Sequence, residues 1–195
     1  MGHSLSPRED PGELCDPEKL PDVFAKDEKS VGQCGGTGFC LAPWKKGSFI
    51  NSIDAESDGN GIRWLRLGFT DGTFVEKGNH SAEPDKKAGS LKWDPWKQWF
   101  DEFVLHDGGW NNNVGKMFLK VGDASLDLGQ SKNPEVKPTR GPKGAGMLMG
   151  FAGSSGWNID CIRPIFSVGR PSAAVINNIT FTPSFTDLNK TEKLP

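Results

Sequence analysis

From Cys34 onward this sequence is a succession of short runs in which apolar and polar residues alternate, each closed by a turn signal. Alternation with a period of two marks a strand with one face in a core, because successive side chains point to opposite faces. The cleanest case is Val114 to Gly122, where Met117, Leu119 and Val121 interleave with Lys116, Phe118 and Lys120. Phe49 to Ala55 and Ile62 to Phe69 read as two strands, and Asp58-Gly59-Asn60-Gly61 between them is a strong hairpin signal. Asp71-Gly72 turns the chain into Thr73-Phe74-Val75, and the polar, lysine-bearing stretch from Gly78 to Ser90 reads as a long surface loop. Trp99 to His106 is expected as a strand with Trp99, Asp101, Phe103 and Leu105 on one face. Leu126 to Gly129 follows, then a loop rich in Pro, Lys and Gly from Gln130 to Gly146. Met147 to Gly153, Ile159 to Val168 and a final strand from Val175 to Thr182 complete the set. Pro164 is confined to an edge or bulge, since it has no N–H for a ladder. About ten to twelve short strands at this spacing make an all-β sandwich, barrel or prism, and the pattern alone does not choose among them.

Composition narrows the function. The 25 Gly and 14 Pro serve turns, and 195 residues with 35% hydrophobic content can bury one core. A net charge of −2 leaves no basic footprint for a phosphate backbone, so no nucleic-acid partner is expected. No segment approaches the ~18 apolar residues that a spanning helix needs. Residues 1–31, with Pro7, Pro11, Pro17 and Pro21 among mixed charges, are expected to form a poorly ordered or loosely docked arm. Residues 32–183 then make the domain and residues 184–195 a polar tail.

Met1 to Asp10 is too polar for a signal peptide, which predicts a cytoplasmic chain as written, secreted if a leader has been removed. The start Met1-Gly2-His3-Ser4-Leu5-Ser6 fits the loose myristoylation pattern but reads first as a chance match. Three glycosylation sequons point the other way, at Asn79-His80-Ser81, Asn178-Ile179-Thr180 and Asn189-Lys190-Thr191. The cysteines Cys15, Cys34, Cys40 and Cys161 have neither C-x-x-C spacing nor a His pair, so no zinc site is expected. Cys34 and Cys40 could bridge across a tight turn in an oxidising compartment. The favoured reading is reduced thiols, with Cys161 buried in a strand.

Catalytic constellations are absent: no G-x-S-x-G, no H-E-x-x-H and no Walker loop. Arg140 to Gly146 has glycines and cations without the phosphate-binding pattern. His106 is the sole histidine at a strand end, and Asp101 and Glu102 point to opposite faces of one strand. No catalytic residue, metal or cofactor is therefore assigned.

Two motifs make the architecture specific. Gly35-Gly36-Thr37-Gly38-Phe39 resembles the glycine-rich opening of jacalin-like lectin domains, and Gly150 to Ile162 resembles their closing G-F-x-G-x-S-G-x-x-[LI]-D-x-[LI] run. Trp93-Asp94-Pro95-Trp96, leading into Phe103-Val104-Leu105 and Gly108-Gly109, is similar to the middle of divergent fungal-type members. The resemblance covers roughly residues 32 to 168. It implies a β-prism I fold of three four-stranded Greek-key sheets, with a mono- or oligosaccharide or glycoconjugate as partner and room for a homo-oligomer. It places the ligand at Gly156, Trp157, Asn158, Ile159 and Asp160, beside Gly35 and Gly36, with a third loop at about Gly109 to Asn113.

The chemistry suits a neutral hexose, mannose- or galactose-like. Asp160 can accept from two hydroxyls while the amides of Trp157 and Asn158 donate. Gly36, lacking a Cβ, allows close approach. Trp157 or Trp110 can stack on the C–H face of a ring. Each residue has a plainer reading: Asp160 can fix its own turn by bonding nearby amides, Trp157 can pack on a neighbouring loop, and Asn111-Asn112-Asn113 can be a simple polar turn. Trp93, Trp96 and Trp99 read as packing residues. The Gly-Gly-Thr-Gly opening and the lack of any Tyr depart from the family pattern. Two other functions stay open: a β-prism scaffold shaping an apolar small molecule, as in an enzyme of specialised metabolism, and a toxin-associated or interaction module with a vestigial sugar loop.

Overall fold

A computed structural model describes residues 15–131, 139–140 and 146–181. Among these residues twelve strands form three antiparallel sheets of four. They are β1 (Val31–Gly32), β2 (Thr37–Leu41), β3 (Ile50–Asp58), β4 (Gly61–Phe69), β5 (Phe74–Gly78), β6 (Lys87–Lys92), β7 (Glu102–His106), β8 (Lys116–Val121), β9 (Ala124–Gly129), β10 (Thr139–Arg140), β11 (Leu148–Ser155) and β12 (Ile159–Phe166). The sheet orders are β5-β4-β3-β6, β10-β7-β8-β9 and β1-β12-β11-β2. In the first two, three hairpin-linked strands are followed by a fourth that returns beside the first, the Greek-key arrangement. The third joins the two ends of the domain, so β1 and β2 pair with the hairpin β11–β12.

The alternation in β8 comes out as expected: Met117, Leu119 and Val121 are buried and Lys116, Phe118 and Lys120 half-buried. The three buried side chains meet Ile53, Leu65 and Leu91 from the first sheet and Phe39, Phe151 and Ile162 from the third in one interior cluster. Pro164 pairs with Phe151 of β11, and on its other side the two residues of β1 reach only Ile162 and Cys161. Its missing N–H therefore lies along an open edge, as anticipated.

Several expectations are corrected. Lys87 to Ser90, expected in a loop, belong to β6, which pairs with β3 from Ser57↔Lys87 to Ser52↔Lys92. Only Leu91 of this edge strand is buried, so its sequence looks like loop, and its lysines blunt an open edge. The strand expected from Trp99 begins at Glu102. Val175 to Thr182, expected as a final strand, lies as far as Phe181 in the helix α1 (Ala173–Phe181). The Ser172 Oγ accepts from the Val175 N–H at its start, and Ile176 is buried. Tertiary packing overrides a weak propensity here.

Residues 15–31, expected in a loose arm, are anchored. Cys15, Leu20 and Phe24 are buried against Trp44, Met149, Ile165 and Ile176. The cysteines correct both sequence readings: the bridges are Cys15–Cys40 and Cys34–Cys161, and no described thiol is free. Cys34 follows β1, whose Gly32 pairs with Cys161, and Cys40 faces Ala152 instead. Strand neighbours, not sequence spacing, set the partners. The expected tail, residues 1–14 and most of the loop from Gln130 to Gly146 lie outside the described residues.

Candidate functional site

At one end of the prism three loops converge: Gln33 to Gly36 between β1 and β2, Gly109 to Asn113 between β7 and β8, and Gly156 to Asn158 between β11 and β12. Backbone bonds stitch them together. The Gln33 N–H donates to the Asn112 carbonyl (2.9 Å), and the Val114 N–H to the Ile159 carbonyl (3.1 Å). The Val114 carbonyl accepts in turn from the Ile62 N–H (2.8 Å), which ties in the first sheet. The Gly35 N–H donates to Ser154 Oγ (3.0 Å), and Cys34–Cys161 joins the glycine loop to the residue after Asp160.

An open cleft lined by Gln33, Cys34, Gly35, Gly36, Asn111, Asn112, Asn113 and Asp160 results. Gly36 has φ +58°, and a Cβ there would stand 2.5 Å from Asp160 Oδ2 and 2.8 Å from the Ser155 carbonyl. Only glycine fits this position, and its bare backbone leaves the carboxylate reachable. Asn111 and Asn112 also have positive φ, 53° and 61°, a conformation that asparagine tolerates better than most residues. A second groove, bounded by Cys15, Ser30, Gly38, Ala152 and Ser154, shares Cys34, Gly35 and Gly36 with the cleft.

Asp160 is half-buried, and among the described residues its carboxylate has no hydrogen-bond or ion-pair partner. Burial raises its carboxyl above the ordinary carboxylate range. The turn-fixing reading required it to accept from nearby amides, and it accepts from none. The loop is fixed by other groups: Gly156 N–H donates to the Asn158 carbonyl (3.0 Å), and Asn79 Nδ2 to the Gly156 carbonyl (2.8 Å).

The other expected residues divide. Gly35, Gly36 and Asp160 come together in the cleft, and a Cβ on Gly156 would lie 3.7 Å from Asp160 Oδ2. Asn158 is buried, with its Oδ1 accepting from Arg63 Nη1, and Ile159 is a core residue. Their side chains support the loop, while among the described residues the amides of Trp157 and Asn158 donate to no protein acceptor. Trp157 is 78% exposed and does not line the cleft. Trp110 opens the turn Trp110–Asn112 beside the cleft. Trp93 is buried edge-on to Phe100, and Trp96 is half-buried edge-on to Phe49, both packing residues.

Sequence reasoning missed Gln33, Arg63 and the Cys34–Cys161 bridge. Arg63 lies in the alternating run of β4, where it reads as a solvated charge. Its Nε is 3.3 Å from Asp58 Oδ2, whose carboxylate also accepts from Ser81 Oγ (2.6 Å) and the Asn60 N–H (2.7 Å). A hairpin signal at Asp58 was legible; its partnership with a distant loop was not.

No family profile and no curated protein sequence matches the chain. Solved structures do. A lamprey immune protein superposes with a TM-score of 0.63 at 15% identity, over 76% of this chain and 46% of that one. This chain thus spans less than half of the lamprey protein. Calystegia sepium agglutinin matches with a TM-score of 0.58 at 18% identity, over 76% of this chain and 99% of that one. A mannose-specific jacalin-related lectin from Morus nigra, solved in complex with mannose, gives 0.56 at 18% identity, over 76% and 96%. The chain has the jacalin-like β-prism fold. Within that β-prism, what its own residues add is the double anchoring of the glycine loop and the carboxylate left unpartnered beside it. No helix among the described residues is long and apolar enough to cross a membrane.

Proposed function

We propose that this β-prism binds carbohydrate, a neutral hexose of mannose or galactose type, in the cleft between Gly35-Gly36, Asn111 to Asn113 and Asp160. One observation carries the reading: a half-buried carboxylate, unpartnered among the described residues, held against a glycine that leaves it open. Vicinal hydroxyls both donate and accept. Asp160 takes two donated protons, and the amides of Trp157 and Asn158 supply donors in return. The asparagine loop closes the far side. The adjoining groove over Gly38 and Ser154 gives a second unit of an oligosaccharide room to lie. On this reading the functional unit is the prism from Gly32 to about Pro183 with the anchored segment before it.

The test is a glycan array followed by calorimetry with mannose and galactose, comparing wild type with Asp160→Asn. Loss of a carboxylate acceptor should weaken binding at least about tenfold. Binding should also fade as the pH drops through the raised value of Asp160, because only the ionised form accepts from two hydroxyls. Equal affinity of wild type and variant, or no binding at millimolar sugar, would turn attention to a non-sugar ligand.

A further inference from the structure

The cleft leaves two neighbouring surface features without a role. Trp157 holds a large ring in water, and among the described residues it has no ring or cation partner, whereas exposed Phe74 lies 3.8 Å beneath the Arg66 guanidinium. An unshielded indole is an open site for an apolar face. The second feature is the sequon Asn79-His80-Ser81, just after β5. Its exposed Asn79 side chain donates to the carbonyl of Gly156, the residue before Trp157, at 2.8 Å. One hydrogen bond thus ties a sequon asparagine to the residue before an uncovered tryptophan, although 77 residues separate Asn79 from Gly156 in sequence.

We propose that Asn79 is an N-glycosylation site and that the first sugar of its glycan packs on the Trp157 indole. The transfer uses a lipid-linked oligosaccharide diphosphate, the donor class of the secretory pathway. A bond forms between Asn79 Nδ2 and the anomeric carbon, the bond from that carbon to the diphosphate oxygen breaks, and the amide proton leaves with the diphosphate. Nδ2 carries two hydrogens, so the modified amide keeps one for the Gly156 carbonyl. Modification precedes folding, because in the fold the Ser81 hydroxyl is buried and bonded to Asp58. Both disulfides place the chain in an oxidising compartment, where this chemistry operates. The C–H face of the first pyranose then covers the ring that the protein leaves bare. The proposal is independent of the ligand reading, since its readouts need no added sugar.

The protein is secreted from a eukaryotic host and its Asn79 peptide examined by mass spectrometry. Melting temperatures are compared for wild type and Asn79→Gln, each with and without Trp157→Ala. The expected result is an occupied Asn79 and a glycan-dependent rise of about 2–4 °C that disappears when Trp157 is removed. Acrylamide should quench tryptophan fluorescence less in the glycosylated wild type than in Asn79→Gln, a readout that stands even if Trp157→Ala is not secreted. A bare Asn79 in secreted, disulfide-bonded protein would overturn the proposal. So would an occupied Asn79 with the same temperature increment in both backgrounds, or with unchanged quenching.

Discussion

The sheet β1-β12-β11-β2 separates two apolar clusters that are built differently. On its inner side the prism interior gathers residues from all three sheets, and ladders enclose it. On its outer side Cys15, Leu20, Phe24, Trp44, Ile165 and Ile176 come from a segment before β1, a short turn after β2, β12 and α1. Apart from the isolated Phe24↔Ser167 bridge, no described strand covers that outer cluster. The Cys15–Cys40 bridge closes it, together with the buried Arg163 guanidinium, which donates to the Cys15 carbonyl. Burial lowers Arg163 from its usual value, and the charges of Asp16 and Glu28 oppose that shift. A region held by ladders should open only with the whole fold, whereas one held by a bridge and one cation should open by itself.

The largest test of that contrast is Leu119→Ala. Leu119 is fully buried in the middle of β8, where walls on every side prevent collapse, so the cost should be about 4 kcal/mol with a single urea transition. Two separate transitions would break the comparison from the interior side. Next comes Cys15→Ser with Cys40→Ser. The bridge spans 25 residues, and its loss should cost about 3 kcal/mol. Hydrogen exchange should then quicken at residues 15–30 and leave β8 protected; equal quickening in both would show that the clusters form one unit. The smallest effect is a pH dependence. Burial, with help from the Asp27 charge and against that of Arg163, raises Glu28 to about 7. Its folded value lies above its unfolded one, so its stabilising contribution is full below about pH 4.5 and is lost as pH rises through about 7. After discounting for its partial exposure, wild type should be about 1–2 kcal/mol less stable at pH 8 than at pH 5 on this account, and Glu28→Gln should lose that difference.

The contrast also explains what could be read in advance. β8 was legible because one face is buried and the other wet, so period two survives in the sequence. The runs Met147 to Phe151 and Ile159 to Phe166 are nearly continuous because that sheet is covered on both faces. The docking of residues 15–30 was not legible. Its anchors, Cys15, Leu20 and Phe24, have no strand or helix period, and prolines around them suggest disorder. Val175 to Thr182 misled for the opposite reason: its β-branched residues carry a strand propensity, but the helix buries Ile176 against elements far away in sequence.

At the candidate site the division is similar. The sequence alone determined that Gly35 and Gly36 belong to a turn and that Asp160 lies at the start of an apolar strand, because glycine runs and apolar runs are local signals. Only the tertiary structure decided that Asp160 stands against Gly36 with no partner among the described residues, that Cys34 bonds to Cys161, and that Asn79 bonds to the Gly156 carbonyl, next in the chain to a Trp157 outside the cleft. Those are contacts between strands distant along the chain. Their geometry depends on register and on which strand ends share one end of the prism, quantities that no local pattern encodes.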